Sequence, residues 1–225
     1  MPRLLEAEGL VLDRVLAGER HLRLTLLTPA LGVITALLRE SRPASAKAKA
    51  SSRARATPPL AQQPDVFDHA AVQLEPPRAG AAHRQVYFLR EYKVLRRHAG
   101  LGRSYPALEA AAALSRLIAH NAVHFETCAP VFDLCVKAFA VLDTGAPPEA
   151  VRLKALFLIA RAEGYAAREQ WLPDLTAADQ VLVLDVLNRP ANEAAALTPA
   201  ETARLPKLRR AFERWLAEHT DLEVK

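Results

Sequence analysis

The chemistry open to this chain lies mainly in its cations. Arg42, Lys47, Lys49, Arg53 and Arg55 stand within Arg42–Pro59, a stretch of small residues with no acid in it. Lysine and arginine without matching carboxylates attract phosphates and release their counterions. Arg23 and Arg39 precede them in segments that alternate polar and apolar residues. A second group, Arg84–Arg97, interleaves Tyr87, Phe88 and Tyr92 with Arg84, Arg90, Lys93, Arg96 and Arg97. Aromatics among basic residues can stack bases. The plainer reading puts Phe88 inside the fold and packs the tyrosines between domains.

Other groups support catalysis poorly. His120 and His124 have the i, i+4 spacing of metal ligands, as in H-E-x-x-H. Asn121 stands where that motif has its glutamate, and no third ligand is evident. Surface or hydrogen-bonded histidines explain the pair better than a metal-dependent enzyme does. Cys128 and Cys135 lie in an apolar helical run and read as small buried hydrophobes. Neither a phosphate-binding glycine loop nor a G-x-S-x-G elbow occurs. The expectation is a binding protein that is not an enzyme, with no metal and no cofactor.

Net charge is +5 over 225 residues, and its placement matters more than its size. Residues 1–59 hold ten basic and five acidic side chains, while the remainder holds 20 of each. One-sided basic charge is the footprint of a polyanion binder.

The elements that must position these groups follow from hydrophobic periodicity. In His21–Thr28, Leu22, Leu24 and Leu26 alternate with His21, Arg23 and Thr25, the period of a strand with one buried face. Gly9–Val15 and Val33–Arg39 flank it, joined by Leu16–Arg20 and by Thr28–Gly32, which read as turns. Val66–Leu74 and Gln85–Leu89 add two more strands. Five short strands predict a small OB-type barrel, because closure removes exposed edges. The pattern changes at residue 90, where Arg90–His98 reads as the lead into a helix. Beyond it helices open at Tyr105-Pro106, Pro130, Pro147-Pro148, Thr176 and Thr198, with Gly145 and Gly164 as stops. Pro206 should restart or kink the last helix. The fold class is therefore α+β, an OB-type barrel over 1–90 and an all-α domain over 91–225. No apolar run is long enough to cross a membrane, and the N-terminus lacks a signal core, so a cytoplasmic protein with no membrane partner is expected.

The order of these motifs resembles the RecO family of DNA repair proteins. The likeness is carried by Gly9-Leu10-Val11-Leu12, Gly18-Glu19, Leu26-Leu27-Thr28, Gly32, Arg39 and Arg42 in the barrel. In the helical part it is carried by Glu126, Pro130, Phe132, Leu142 and Gly145, by Leu153–Phe157 with Gly164-Tyr165, and by Phe212–Lys225. Many relatives carry a four-cysteine zinc site after the Gly-Tyr, but Ala166–Pro173 has no cysteine. The resemblance implies a mediator of homologous recombination without enzymatic activity. Such a protein binds single- and double-stranded DNA, anneals strands, binds the acidic C-terminal tail of the single-strand-binding protein SSB, and with RecR loads RecA onto SSB-coated DNA. Arg23, Arg39, Arg42, Lys47, Lys49, Arg53 and Arg55 would then hold DNA, and the SSB tail would need an apolar pocket rimmed by arginine or lysine on the helical domain. A regulatory or structural DNA-binding protein could use the same barrel without mediator activity.

Overall fold

A computed structural model describes residues 4–39, 63–77, 86–122, 128–190 and 197–224. In it the chain divides into two units, Met1–Arg97 and His98–Lys225. The first holds strands β1 (Leu5–Ala17), β2 (His21–Thr28), β3 (Gly32–Arg39), β4 (His69–Glu75) and β5 (Val86–Arg96). They form a closed barrel in the order β1-β2-β3-β5-β4. Closure depends on β1, which pairs with β4 from Leu5 to Leu10 and with β2 from Leu10 to Ala17. A register shift between Val11 and Asp13 bends β1 as it passes from one partner to the other. β3 and β5 pair in parallel through Thr35–Val86, Ala36–Tyr87 and Leu37–Phe88.

The predicted alternation sets the interior. Leu22, Leu24, Leu26, Ile34, Ala36, Ala70, Val72 and Leu74 fill the barrel with Tyr87 and Leu89. The β2–β3 turn is fixed by Thr28, whose Oγ1 donates to the Gly32 carbonyl and accepts from the Leu31 N–H, both at 3.0 Å. Gly32 sits at φ 71°, a left-handed conformation that costs glycine little.

One polar cluster is buried in this unit. Asp68 is 1% exposed and takes a two-pronged contact from Arg97, Nε to Oδ1 at 2.9 Å and Nη2 to Oδ2 at 2.7 Å. Tyr92 Oη donates to Asp68 Oδ2 at 3.0 Å, and Arg97 Nη2 also reaches the Gln63 carbonyl at 2.7 Å. Burial, reinforced by the Asp68 charge, pushes the Tyr92 phenol well above its ordinary range, so it stays a donor. The cluster ties the segment ahead of β4 to the end of β5.

Residues 91–96 correct the sequence reading. They continue β5 instead of leading into a helix, and the division of the chain falls after Arg97, not after residue 90. The physical reason is cross-strand pairing. Tyr92 faces Val72 and Val94 faces Ala70, so the barrel needs these residues as strand.

The second unit contains α1 (Tyr105–His120), α2 (Cys128–Asp143), α3 (Pro148–Ala162), α4 (Ala167–Gln170), α5 (Ala177–Asn188) and α6 (Pro199–His219). Their ends follow the local signals. Ser104 accepts from the Ala107 N–H at the head of α1, and Thr176 accepts from Asp179 at the head of α5. Thr198 and Glu201 form both halves of a capping box. Gly145 and Gly164, at φ 94° and 82°, follow α2 and α3. Pro206 neither ends nor restarts α6, which runs 21 residues through it. An interior proline costs a helix about 3 kcal/mol. Burial of Leu205, Leu208, Phe212, Trp215 and Leu216 along the same helix offsets that cost. Phe212 centres an aromatic cluster, with ring centroids 4.6 Å from Trp171, 5.6 Å from Phe157 and 5.9 Å from Trp215. No described helix is long and apolar enough to cross a membrane.

Candidate nucleic-acid interface

The outer face of β2 and β3 follows from the strand period. Leucines at 22, 24 and 26 point in, so His21, Arg23 and Thr25 point out. Pairing then fixes the neighbours. His21 lies opposite Arg39, Arg23 opposite Leu37, and Thr25 opposite Thr35. Arg23 and Arg39 are thus diagonal neighbours on one face, with Cβ atoms about 7 Å apart. Both are exposed, and neither makes an ion pair among the described residues. The sequence reading of this pair agrees with its placement.

The row through Arg23 continues across the sheet. Val15 of β1 lies opposite Arg23, and Phe88 of β5 is in register with Leu37. Phe88 is 43% exposed. This reverses the expectation that Phe88 fills the barrel. Adjacent strand residues face opposite ways, and Tyr87 and Leu89 take the interior positions at 7% and 5% exposure. Among the described residues the face therefore offers two guanidiniums outside any ion pair and one open aromatic ring. Tyr92 packs against the barrel core and bonds Asp68. Period-two counting back from Leu89 would have found Phe88, but two aromatics in succession hide which of them points out.

Charge sorts itself around the barrel. β2 and β3 contain no acid. The acids lie on the other strands and are mostly engaged. Glu8 pairs with His69 at 3.0 Å, Glu6 accepts from Gln73 at 3.2 Å, and Glu75 pairs with Arg90. Within residues 4–39 the four basic side chains are matched by four acids. The N-terminal basic excess thus belongs to positions 1–3 and 40–59. Arg42, Lys47, Lys49, Arg53 and Arg55, and Arg84 in the second basic group, fall outside the described residues.

The remaining candidates have ordinary surroundings. His120 is exposed, its Nδ1 2.8 Å from the Arg116 carbonyl, and His124 lies outside the described residues. Among the described residues no three His, Cys, Asp or Glu side chains gather as a metal site would need. Burial pushes the Cys135 thiol up to about 12 and raises Cys128 as well, so both stay protonated near neutral pH. Asn121, read as part of the histidine motif, instead has a structural role. Its side chain accepts from the Glu223 N–H at 2.8 Å and donates to the Glu223 carbonyl at 3.1 Å. That clamp spans 102 positions of sequence and leaves no local signal.

An apolar recess beside a charged rim in the helical unit is lined by Ala113, Leu114, Leu117, Leu156 and Val224 with Arg152 and Glu213. It holds about 10 Å³, roughly the room of a single water and too little for a side chain. An apolar pocket for an acidic peptide is therefore not open there.

A scan against protein-family models finds no match for the chain, and no curated protein is significantly similar to it.

Proposed function

We propose that the chain is a DNA-binding mediator of repair and recombination of the RecO type, acting by binding and not by catalysis. The observation that carries this reading is the acid-free outer face of β2 and β3, with Arg23 and Arg39 outside any ion pair among the described residues and Phe88 open on the same face. Arginines on a strand face hold phosphates, and an exposed ring stacks unpaired bases, which together favour a single strand. The strand order β1-β2-β3-β5-β4, with β1 shared between two partners, supports an OB identity for the barrel. OB barrels bind oligonucleotides across their second and third strands. The loop cations Arg42, Lys47, Lys49, Arg53 and Arg55 extend the same surface chemistry in this reading.

The mediator role, with annealing of complementary strands, an SSB tail and RecR as partners, and loading of RecA, is supported by the order of sequence motifs. An annealing assay on SSB-coated complementary strands tests it. Faster annealing with the protein than without is expected. Tight DNA binding with no effect on annealing would favour a regulatory or structural DNA-binding protein built on the same barrel.

A further inference from the structure

We infer that the outer side of α6 binds the phosphate backbone of a second nucleic-acid strand. The inference rests on the nucleic-acid reading above but uses different residues. Lys207, Arg210 and Arg214 are exposed and line an open groove of about 370 Å³ with Glu213, Ala217 and Val224. Their spacing, i, i+3 and i+7, puts them on one face of the helix. At 1.5 Å per residue the row is about 10 Å long, the length over which a strand rising 3.4 Å per nucleotide presents about three phosphates.

These three cations differ from their neighbours in making no close ion pair among the described residues; Lys207 adds only a longer-range attraction to Asp179, which Arg204 already holds. Arg204 pairs with Asp179, and the buried Arg209 pairs with Glu149 and Glu213. Lys207, Arg210 and Arg214 make no ion pair among the described residues. The groove's one acid, Glu213, already takes Arg152 at 3.0 Å and Arg209 at 2.5 Å. Its charge is compensated before a ligand arrives. Bulk charge does not explain the row, because residues 98–225 hold 14 basic and 16 acidic side chains.

The lining decides between two anionic partners. An acidic peptide with apolar anchors needs a recess for those anchors. The groove offers only Ala217 and Val224, and the neighbouring recess holds about 10 Å³. A phosphate backbone needs only a row of cations. With one strand on the barrel and another on α6, a single chain bridges two strands.

A bridging assay on the full chain tests this. The protein is bound to an immobilised oligonucleotide and then offered a fluorescent, non-complementary single strand. Wild type should capture the second strand. The variant K207Q/R210Q/R214Q should hold the immobilised strand about as well as wild type, capture the second at least roughly tenfold less, and flatten the salt slope of capture by about two units. The charge-keeping variant K207R/R210K/R214K should capture normally, and thermal melts of both variants confirm their folds. Unchanged capture by the glutamine variant would overturn the inference, as would loss of binding to an acidic apolar peptide with capture intact. A wild type that binds one strand and never a second sinks this inference alone. One that binds no oligonucleotide sinks the nucleic-acid reading with it.

Discussion

Replacing Phe88 by alanine separates stacking from charge on the barrel face. The ring is 43% exposed, so its loss costs the fold far less than the roughly 3–5 kcal/mol of a buried phenylalanine. Stacking of one base on an aromatic ring is worth about 1–3 kcal/mol by alanine substitution. F88A should therefore weaken single-strand binding by roughly 5- to 150-fold. Phenylalanine carries no charge and releases no counterions, so the slope of log K against log salt should not change. R23Q/R39Q should do the reverse and flatten that slope by about 1.4, twice the single-strand value per phosphate. Fluorescence anisotropy of a labelled oligothymidine over a series of salt concentrations reads both quantities. F88W should keep or raise affinity. F88A binding within twofold of wild type, with its melting temperature unchanged, would refute the assignment of this face.

Replacing Lys47, Lys49, Arg53 and Arg55 together by alanine should flatten the same slope by roughly two to three units without lowering thermal stability; wild-type affinity and slope would reduce the segment to a solvated tether. D68N weakens the contacts to Arg97, whose partly exposed guanidinium water can then solvate, and should cost about 1–3 kcal/mol in urea unfolding of the barrel, whereas Y92F removes one hydrogen bond and should cost about 1 kcal/mol. Cys135 keeps its proton to about 12 when folded, against an ordinary value of 9.0, so its contribution is complete below pH 9 and lost as pH rises toward 12. The C135A variant should lose less stability than wild type across that window, and equal losses by circular dichroism would show that the thiol is not held protonated.

Local signals were enough for most of the fold. The β2 alternation, the Thr28–Gly32 turn, the Thr198–Glu201 capping box and the glycine stops each sit within a few residues, and each appears where its chemistry places it. The failures involve partners distant in sequence. Arg90–Arg96 looked like a helix lead because it contains no breaker. Its strand state comes from Ala70 and Val72, which face Val94 and Tyr92 from 24 and 20 positions earlier, and a register shift between Gln73 and Leu74 blurs the alternation further. Pro206 looked like a break because propensity ignores the buried residues on either side of it. At the interface Arg23 and Arg39 were legible from period two alone. Phe88 was not, since its side of the sheet depends on which of two successive aromatics enters the barrel. The α6 row was also missed, because what distinguishes Lys207, Arg210 and Arg214 from Arg204 and Arg209 is which acids reach them in three dimensions.

The sharing of β1 between β2 and β4 also orders how the chain can assemble. Its pairs with β2 close over few residues, as Ala17 to His21. Its pairs with β4 join Leu5 to Leu74 and Leu10 to His69. On a ribosome the β1–β2–β3 meander can form early, but it stays an open sheet until β4 and then β5 have emerged. Until then the leucines of β2 line a half-closed trough. The capped helices that follow rely far more on local contacts, which form quickly, whereas the barrel must first bring distant segments together. Barrel closure is therefore the slow step expected in the life of a nascent chain, and the interval in which it most needs protection from aggregation.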